Sequence, residues 1–419
     1  MQQVPQTPSW GVNGMKMHGN GVSGVSGKVF DCACRIVLEC DRGKVTLDDA
    51  LDKAPLEFRR IVEHLLFCFF RYRKPIENIL CKFISRPPVP EVMTILAVAA
   101  TQCRFQSGIA PQSAVNVAVD AAKKFHADKF VNAVLRKFIQ TSFPDRFSAK
   151  DILPPAIFRR WSKRFDDVTL ENFAALFAAE PDFSYRILPG FKTVENSTPI
   201  PGFGGFNFAS APGSEVLKSD LLAKGGFYIQ DPATSFAVSL AAEDAKSAGK
   251  VLDICAAPGG KTLMLGELCR PECSVTAADI NAARQERTRE NFTLRSRNYQ
   301  VVTAAPENLY GKYDIIMADL PCSNTGVFRK RPDALWRFDE KHLREIVKIQ
   351  QNILKSAARL LAPNGIIIVS TCSIEPEENA QLADFLTSLD PAFNCEAQQT
   401  ILPTSTHDGA FAARLRLVV

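Results

Sequence analysis

From Val29 to about Thr141 apolar residues recur at helical spacing. Ala33, Ile36, Val37 and Cys40 fall on one face, as do Phe58, Ile61, Val62 and Leu65. The stretch Val92 to Cys103 is apolar nearly all round, which marks a central buried helix. Lys129-Phe-Val-Asn-Ala-Val-Leu-Arg136 closes the block, so residues 29–141 are expected to form a compact all-helical domain. Residues 1–28 are rich in Gly, Asn, Ser and Val without period, and read as a disordered tail or a misplaced start.

Pro154 and Pro155 open a different segment. Ile157 to Phe165 carries Arg159, Arg160, Lys163 and Arg164 around Trp161. This is either a solvated helix face or a basic, aromatic-bearing surface for an RNA backbone. Short β-like runs broken by Gly and Pro follow over 183–230, including Pro201-Gly-Phe-Gly-Gly205. Residues 142–235 therefore read as a small α+β linker subdomain.

After Gly249 strands and helices alternate. Val251–Ile254, Val275–Ala278, Val301–Thr303, Ile315–Ala318 and Ile366–Val369 are short apolar runs. Helical runs at 261–268, 282–297, 341–361 and 377–389 separate or follow them. Such alternation predicts an α/β domain over 236–419, with a mostly parallel, Rossmann-like sheet and helices on both faces.

Composition narrows the class only a little. The chain has 419 residues, 46% of them hydrophobic, enough for two or three cored domains. A net charge of +5 does not by itself identify a nucleic-acid binder, so RNA must be argued from sites. No apolar run reaches the ~18 residues of a membrane span, and the N-terminus lacks the layout of a signal peptide. The expectation is a soluble cytoplasmic protein, a monomer, with no membrane partner. A single residue separates Cys32 from Cys34 and three separate Cys269 from Cys273, and no C-x-x-C occurs among the twelve cysteines. Neither a disulfide framework nor a metal site is expected.

Two features carry chemistry. The strand at 251–254 runs into Cys255-Ala-Ala-Pro-Gly-Gly-Lys261-Thr262. A glycine pair at a strand-to-helix turn lets backbone approach a ligand, but neither the phosphate-loop spacing nor G-x-G-x-x-G is present. A nucleoside-like ligand is favoured over a bare phosphate. Asp279 closes the next strand, where an acid can accept hydrogen bonds from ribose hydroxyls or cap the following helix. The second feature is the pair Cys322 and Cys372, each just beyond a predicted strand end, the first after Asp319-Leu-Pro321. Two cysteines at adjacent strand ends face one pocket. The residues alone do not rank them as nucleophile and helper.

These strings resemble a known family. Asp253-Ile-Cys-Ala-Ala-Pro-Gly-Gly-Lys-Thr262 looks like the cofactor motif of RNA cytosine-C5 methyltransferases. Asp319-Leu-Pro-Cys322-Ser-Asn-Thr-Gly-Val327, then Arg329-Lys-Arg-Pro-Asp333 and Trp336, resembles the second hallmark. Ser370-Thr-Cys372-Ser-Ile-Glu-Pro-Glu-Glu-Asn379 resembles the third, and Gln230-Asp-Pro-Ala-Thr234 the start of the catalytic domain. His407-Asp-Gly-Ala-Phe-Ala412 resembles the terminal hairpin. Residues 29–141, down to Asn132-Ala-Val-Leu-Arg136, look like a NusB-like RNA-binding domain, which marks the bacterial 16S ribosomal RNA branch, RsmB-type.

The resemblance implies S-adenosylmethionine as cofactor, held by Cys255, Ala256, Ala257, Pro258, Gly259, Gly260, Lys261, Asp279 and Asp319. It implies 16S ribosomal RNA as partner. It implies that Cys372 attacks C6 of the cytosine, that Cys322 helps release the product, and that Asp319 serves the base edge. Addition of a thiolate to C6 makes C5 an enamine carbon able to take a methyl group. Lys261 and Arg329 to Arg331 are candidates for phosphate contact. One departure stands out: Ala304 and Ala305 occupy the place of the family's acid near the adenine, with Glu307 two residues on. Rival readings are a transfer-RNA methyltransferase of the same class, a non-catalytic RNA-binding or assembly factor, and a redox thiol pair.

Overall fold

The structure, a computed structural model, describes residues 22–418 except 44, 107, 145 and 296. The chain divides into two units: residues up to Ala179 together with Arg331–Arg337, and Glu180–Lys330 together with Phe338–Val419. Helix Val22–Asp41 takes in the last seven residues of the expected tail, 22–28, and the rest of it, 1–21, lies outside the described residues.

The first unit is helical. Ala33, Ile36, Val37 and Cys40 are buried as their spacing required, and so are Phe58, Val62 and Leu65, whereas Ile61 is 40% exposed. Helix Pro90–Phe105 forms the centre, buried continuously from Thr94 to Gln102. Helix Arg59–Cys81 contains Pro75, and Tyr72 leaves the helical region just before it. A proline ring cannot donate to the carbonyl four residues back, which is that of Arg71. The break turns Arg71 and Tyr72 outward to useful partners. Arg71 Nε donates to the Phe177 carbonyl at 3.1 Å and Tyr72 Oη to that of Ala178 at 2.7 Å. These are last-turn carbonyls of helix Asp167–Ala178, which have no intrahelical donor. Tyr72 also stacks on Phe105 at 4.4 Å and meets Phe143 and Phe147. Residues 142–179 therefore belong to the helical unit, not to a linker as the sequence suggested. Trp161 lies fully buried against Phe165, Phe173 and Phe177, so it is a core residue and not a surface aromatic of the basic segment.

The excursion Arg331–Arg337 is anchored in the same unit. Trp336 Nε1 donates to the Phe70 carbonyl at 2.7 Å, under the Arg73 guanidinium at 4.9 Å. Asp333 accepts from the Leu47 amide at 3.3 Å and from Arg337 at 2.9 Å.

The second unit holds two sheets. The smaller comprises β1 (Phe183–Ile187), β2 (Thr198–Pro201), β3 (Asn207–Ala211) and β4 (Phe227–Ile229), antiparallel in the order β2-β3-β1-β4. The larger comprises β5 (Lys250–Asp253), β6 (Ser274–Asp279), β7 (Gln300–Thr303), β8 (Tyr313–Asp319), β9 (Leu361–Thr371), β10 (Phe393–Ile401) and β11 (Ala410–Leu417). Its order is β10-β11-β9-β8-β5-β6-β7. β9, β8, β5, β6 and β7 run parallel, and β11 and β10 are antiparallel additions at one edge. This is the mostly parallel, Rossmann-like architecture that the alternation predicted.

Both faces of the larger sheet are covered, which is why its strands read as unbroken apolar runs. Leu252, Ile316, Ile367 and Val369 point to one core with Leu354, Leu360 and Leu382; Val251, Ile315, Ile366 and Ile368 point to the other with Met264, Leu265 and Phe236. Strand order reverses between β5 and β8. At the carboxyl ends of strands flanking such a switch, the departing chains leave a crevice for a ligand.

Candidate active site

At that edge β5 ends on Asp253, β6 on Asp279 and β8 on Asp319, and β9 delivers Ser370 and Thr371 before Cys372. The loop 255–259 turns from β5 into helix Gly260–Leu268, with the Ala257–Pro258 peptide cis. Gly259 has φ +98°, a left-handed conformation that side chains rarely adopt, and a Cβ there would stand 2.8 Å from the Phe292 ring. A Cβ on Gly260 would meet Gln230 Nε2 at 2.8 Å and Tyr228, so this glycine serves the close approach of β4 and the segment after it. Tyr228 Oη donates to the Pro258 carbonyl at 3.2 Å, as Asn291 Nδ2 does at 2.9 Å, and the pair fix the loop from outside.

Asp279 shapes the loop and the next helix together. Its Oδ2 accepts from the Ala257 amide at 3.2 Å and its Oδ1 from the Asn281 amide at 2.8 Å. Asn281, not Asp279, caps helix Ala282–Thr293 by accepting from the Arg284 amide. Ala304 donates its amide to the Asp279 carbonyl at 3.1 Å, and the Glu307 side chain is exposed. Asp253 is fully buried. One oxygen accepts from Thr262 Oγ1 at 2.7 Å and the other has no hydrogen-bond partner among the described residues. Burial pushes its carboxyl up to about 7 against the Thr262 bond, with Asp319 and Asp279 adding to the rise and Lys261 opposing it.

Lys261 donates to Asp319 Oδ2 at 2.6 Å, and Ser370 Oγ donates to Asp319 Oδ1 at 2.8 Å, across the β8–β9 register that pairs Asp319 with Ser370. Burial pulls the Lys261 ammonium down, but the Asp319 charge and hydrogen bond more than offset it and leave it raised. Lys261 is thus engaged by a carboxylate. Lys330 is held between Asp231 and Asp408, the latter at 3.3 Å, and Arg331 pairs with Asp48 at 3.1 Å. Arg329 donates to the Ser405 carbonyl at 2.6 Å. The expected phosphate contacts from this run are occupied by protein groups.

The two cysteines meet. Cys322 Sγ and Cys372 Sγ are 3.0 Å apart. Cys372 Sγ also donates to Asn324 Oδ1 at 3.1 Å, which leaves Cys322 as the donor between the two sulfurs. Asn324, at φ +62°, sits in the left-handed region that Asn tolerates, and its Nδ2 donates to the Cys322 carbonyl at 3.1 Å. Cys322 is 8% exposed and Cys372 more so. The hydrogen bond to Cys372 and burial push the Cys322 thiol well above the ordinary thiol range. Gly326 donates its amide to the Cys372 carbonyl at 2.9 Å, and Gly409 of the terminal hairpin donates to the Gly326 carbonyl at 2.8 Å. A Cβ on Gly326 would press on the Cys372 carbonyl at 2.8 Å.

Sequence reasoning missed the support behind these loops. Glu378, Ser323, Ser373, Thr325 and Gln350 form a buried hydrogen-bonded network under the cysteines. Polar residues clustered in sequence, as Ser323, Thr325, Ser373 and Glu378 are, give no sign of whether they face solvent or one another.

A parallel sheet with a glycine turn after its first strand, three carboxylates along one edge and a thiol pair beside them defines a methyltransferase fold and site of the S-adenosylmethionine-dependent class. The residues fit that cofactor. Its sulfonium and ammonium are cations suited to the acidic edge, and its ribose hydroxyls are donors suited to Asp279. Residues 237–416 match the family model described as 16S rRNA methyltransferase RsmB/F, and residues 33–140 match the NusB family. The chain thus carries an RsmB/F-type ribosomal RNA methyltransferase domain, with a NusB-family domain ahead of it.

Curated relatives agree. Ribosomal RNA small subunit methyltransferase B of Pasteurella multocida is 27% identical over 92% of this chain and 95% of that protein. The protein of the same name from Photorhabdus laumondii is 37% identical over 40% of this chain and 42% of its own. Among solved structures, PH0851 aligns with a TM-score of 0.72 at 19% identity, covering 93% of this chain and 98% of that one. NSun6 from Pyrococcus horikoshii, solved with SFG, gives 0.54 at 17% identity over 64% and 98%. At these identities the structures speak for the fold. Among the described residues no helix is long and apolar enough to cross a membrane.

Proposed function

We propose that this protein methylates carbon 5 of a cytosine in 16S ribosomal RNA, in the cytoplasm, through a covalent bond between Cys372 Sγ and C6 of the base. The observation that carries the reading is the 3.0 Å contact of Cys322 and Cys372 beside the Lys261–Asp319 pair. Residues 255–261, Asp279 and Asp319 would hold S-adenosylmethionine, which when bound would supply the methyl group.

Every other step falls to side chains of the chain. The Cys322 S–H is turned toward Cys372 Sγ, where it can hydrogen-bond the sulfur once Cys372 gives up the proton it places on Asn324 Oδ1. Cys372 is also the more accessible of the two, as an attacking sulfur must be. The thiolate forms the C6 bond, and the electron pair of the C5–C6 double bond moves toward N3, where Asp319 holds a proton or hydrogen-bonds the base edge. The resulting enamine carbon C5 takes the methyl group. Cys322 takes the C5 proton as it passes its own S–H proton to the Cys372 sulfur, so the C6–S bond breaks, its electrons return to sulfur and both residues end as thiols. The base must be unpaired or flipped to reach this edge. The NusB-family domain is the part of the chain assigned to hold the RNA.

Bisulfite sequencing of ribosomal RNA from a strain lacking the gene tests the reading. A 16S cytosine that loses its protection and regains it with the wild-type gene but not with Cys372→Ala is the expected result. An unchanged 16S pattern, or a lost protection confined to transfer RNA, would overturn it.

A further inference from the structure

Behind the cysteines lies a carboxylate for which the reaction above has no use. Glu378 is fully buried in the turn Pro376–Glu378. Its Oε1 accepts from the Ser323 amide at 2.8 Å and from Gln350 Nε2 at 3.2 Å. Its Oε2 accepts from the Ser323 hydroxyl and, at 2.5 Å, from the Ser373 hydroxyl. Ser323 directly follows Cys322 and Ser373 directly follows Cys372. A single side chain therefore ties together the residues next to both sulfurs.

The rest of the network leaves little slack. Ser373 Oγ accepts from the Glu375 amide at 3.0 Å and meets Thr325 Oγ1 at 3.0 Å. Thr325 Oγ1 accepts from the Ile374 amide at 3.0 Å. Gln350 spends its second amide hydrogen on the Pro321 carbonyl at 2.8 Å, so helix Glu340–Leu360 braces the Cys322 loop from below. Four donors converge on the two oxygens of Glu378, which matches the acceptor-only character of a carboxylate. A protonated acid would set its own O–H against one of them. Burial pushes this carboxyl up, and the bonds from Ser323, Ser373 and Gln350 push back. A fixed negative charge on the Cys322 side opposes a second one on that sulfur.

We infer that Glu378 is the positioning residue of the active site: it holds the Cys322 and Cys372 loops at one separation and makes Cys322 the member that keeps its proton, so that Cys372 attacks. The inference rests on the covalent reading above. Glu378 touches neither the base nor the reacting sulfurs and acts through Ser323 and Ser373.

The test is Glu378→Gln in the full-length protein, with Glu378→Asp and Ser373→Ala as companions should the first fail to fold. Iodoacetamide labelling without RNA, read by mass spectrometry of the two cysteine peptides, reports which sulfur reacts. Wild-type protein is expected to label Cys372 over Cys322. In Glu378→Gln that preference collapses and kcat falls by ~100-fold, the usual cost of a misplaced reacting group. S-adenosylmethionine affinity and KM for RNA stay as they were. Glu378→Asp keeps the charge and with it the preference for Cys372, at reduced kcat. A folded Glu378→Gln with wild-type kcat and labelling overturns the inference. So does the same outcome in both companions, if Glu378→Gln does not fold. Activity retained in Cys372→Ala would sink the covalent reading and the inference with it, whereas an inactive Cys372→Ala beside a fully active Glu378→Gln sinks the inference alone.

Discussion

Lys261 and Asp319 form a 2.6 Å ion pair that joins the cofactor turn after β5 to the end of β8. The pair sits between the two halves of the site, with the 255–261 loop on one side and Cys322 three residues further on. Ser370 fixes the other Asp319 oxygen, so the carboxylate is aimed by β9 as well. Lys261, expected from the sequence to contact cofactor or phosphate, is bound here to a carboxylate of the same sheet edge.

The cofactor assignment turns on Asp279. Its replacement by Ala removes a charged acceptor, a hydrogen bond of about 1.5–3 kcal/mol. S-adenosylmethionine affinity should fall by about 10–100-fold. Calorimetry on the purified protein checks this, and unchanged affinity would exclude Asp279 from the site. Gly260→Val is the poorer probe, since its side chain would strike Gln230 and Tyr228.

Stability should respond to pH through Asp253. Its folded-state carboxyl is raised to about 7 by burial, and that of Asp408 likewise, whereas the unfolded chain ionises near 3.8. Between those values the native protein binds protons that the unfolded chain has released, so stability falls as pH rises through that window. Asp253→Asn removes its share, and the cofactor-free melting temperature should then decline less from pH ~5 to ~8 than in the wild type. Equal slopes would place the titration elsewhere.

If the NusB-family domain holds RNA, exposed lysines on it contribute counterion release. Charge reversal at Lys124, Lys129 and Lys137, all exposed, should weaken RNA binding and lower the salt slope by roughly 0.7–0.9 per lost phosphate contact. Cofactor affinity should stay constant. An unaltered slope would locate the RNA on other surfaces.

Much of this was legible in residues. Buried-on-both-faces strands announce themselves as continuous apolar runs, so β5, β6, β8 and β9 and the edge they form could be read directly. The motif strings placed Cys322 and Cys372 just beyond neighbouring strands, and their sulfurs meet. What escaped was long-range. Nothing local says that Tyr72 and Arg71 cap a helix a hundred residues away, so 142–179 looked like a linker. Trp161 amid arginines looks like a surface aromatic until Phe173 and Phe177 are found around it. Lys330 and Arg331 read as phosphate contacts until Asp231, Asp408 and Asp48 arrive from elsewhere. Charges read singly tell little about partners that the fold supplies.

The central claim is that Cys372 bonds to the base and Cys322 frees it. Denaturing gels of each variant incubated with labelled 16S ribosomal RNA and S-adenosylmethionine test it directly. Cys322→Ala keeps attack and methyl transfer but loses the elimination, so it should accumulate a protein–RNA band that survives denaturation. Cys372→Ala should give no band and no methylation, and the double variant should give none. A band in Cys372→Ala that is missing in Cys322→Ala would reverse the two roles, and methylation retained in both single variants with no band in either would contradict the covalent mechanism.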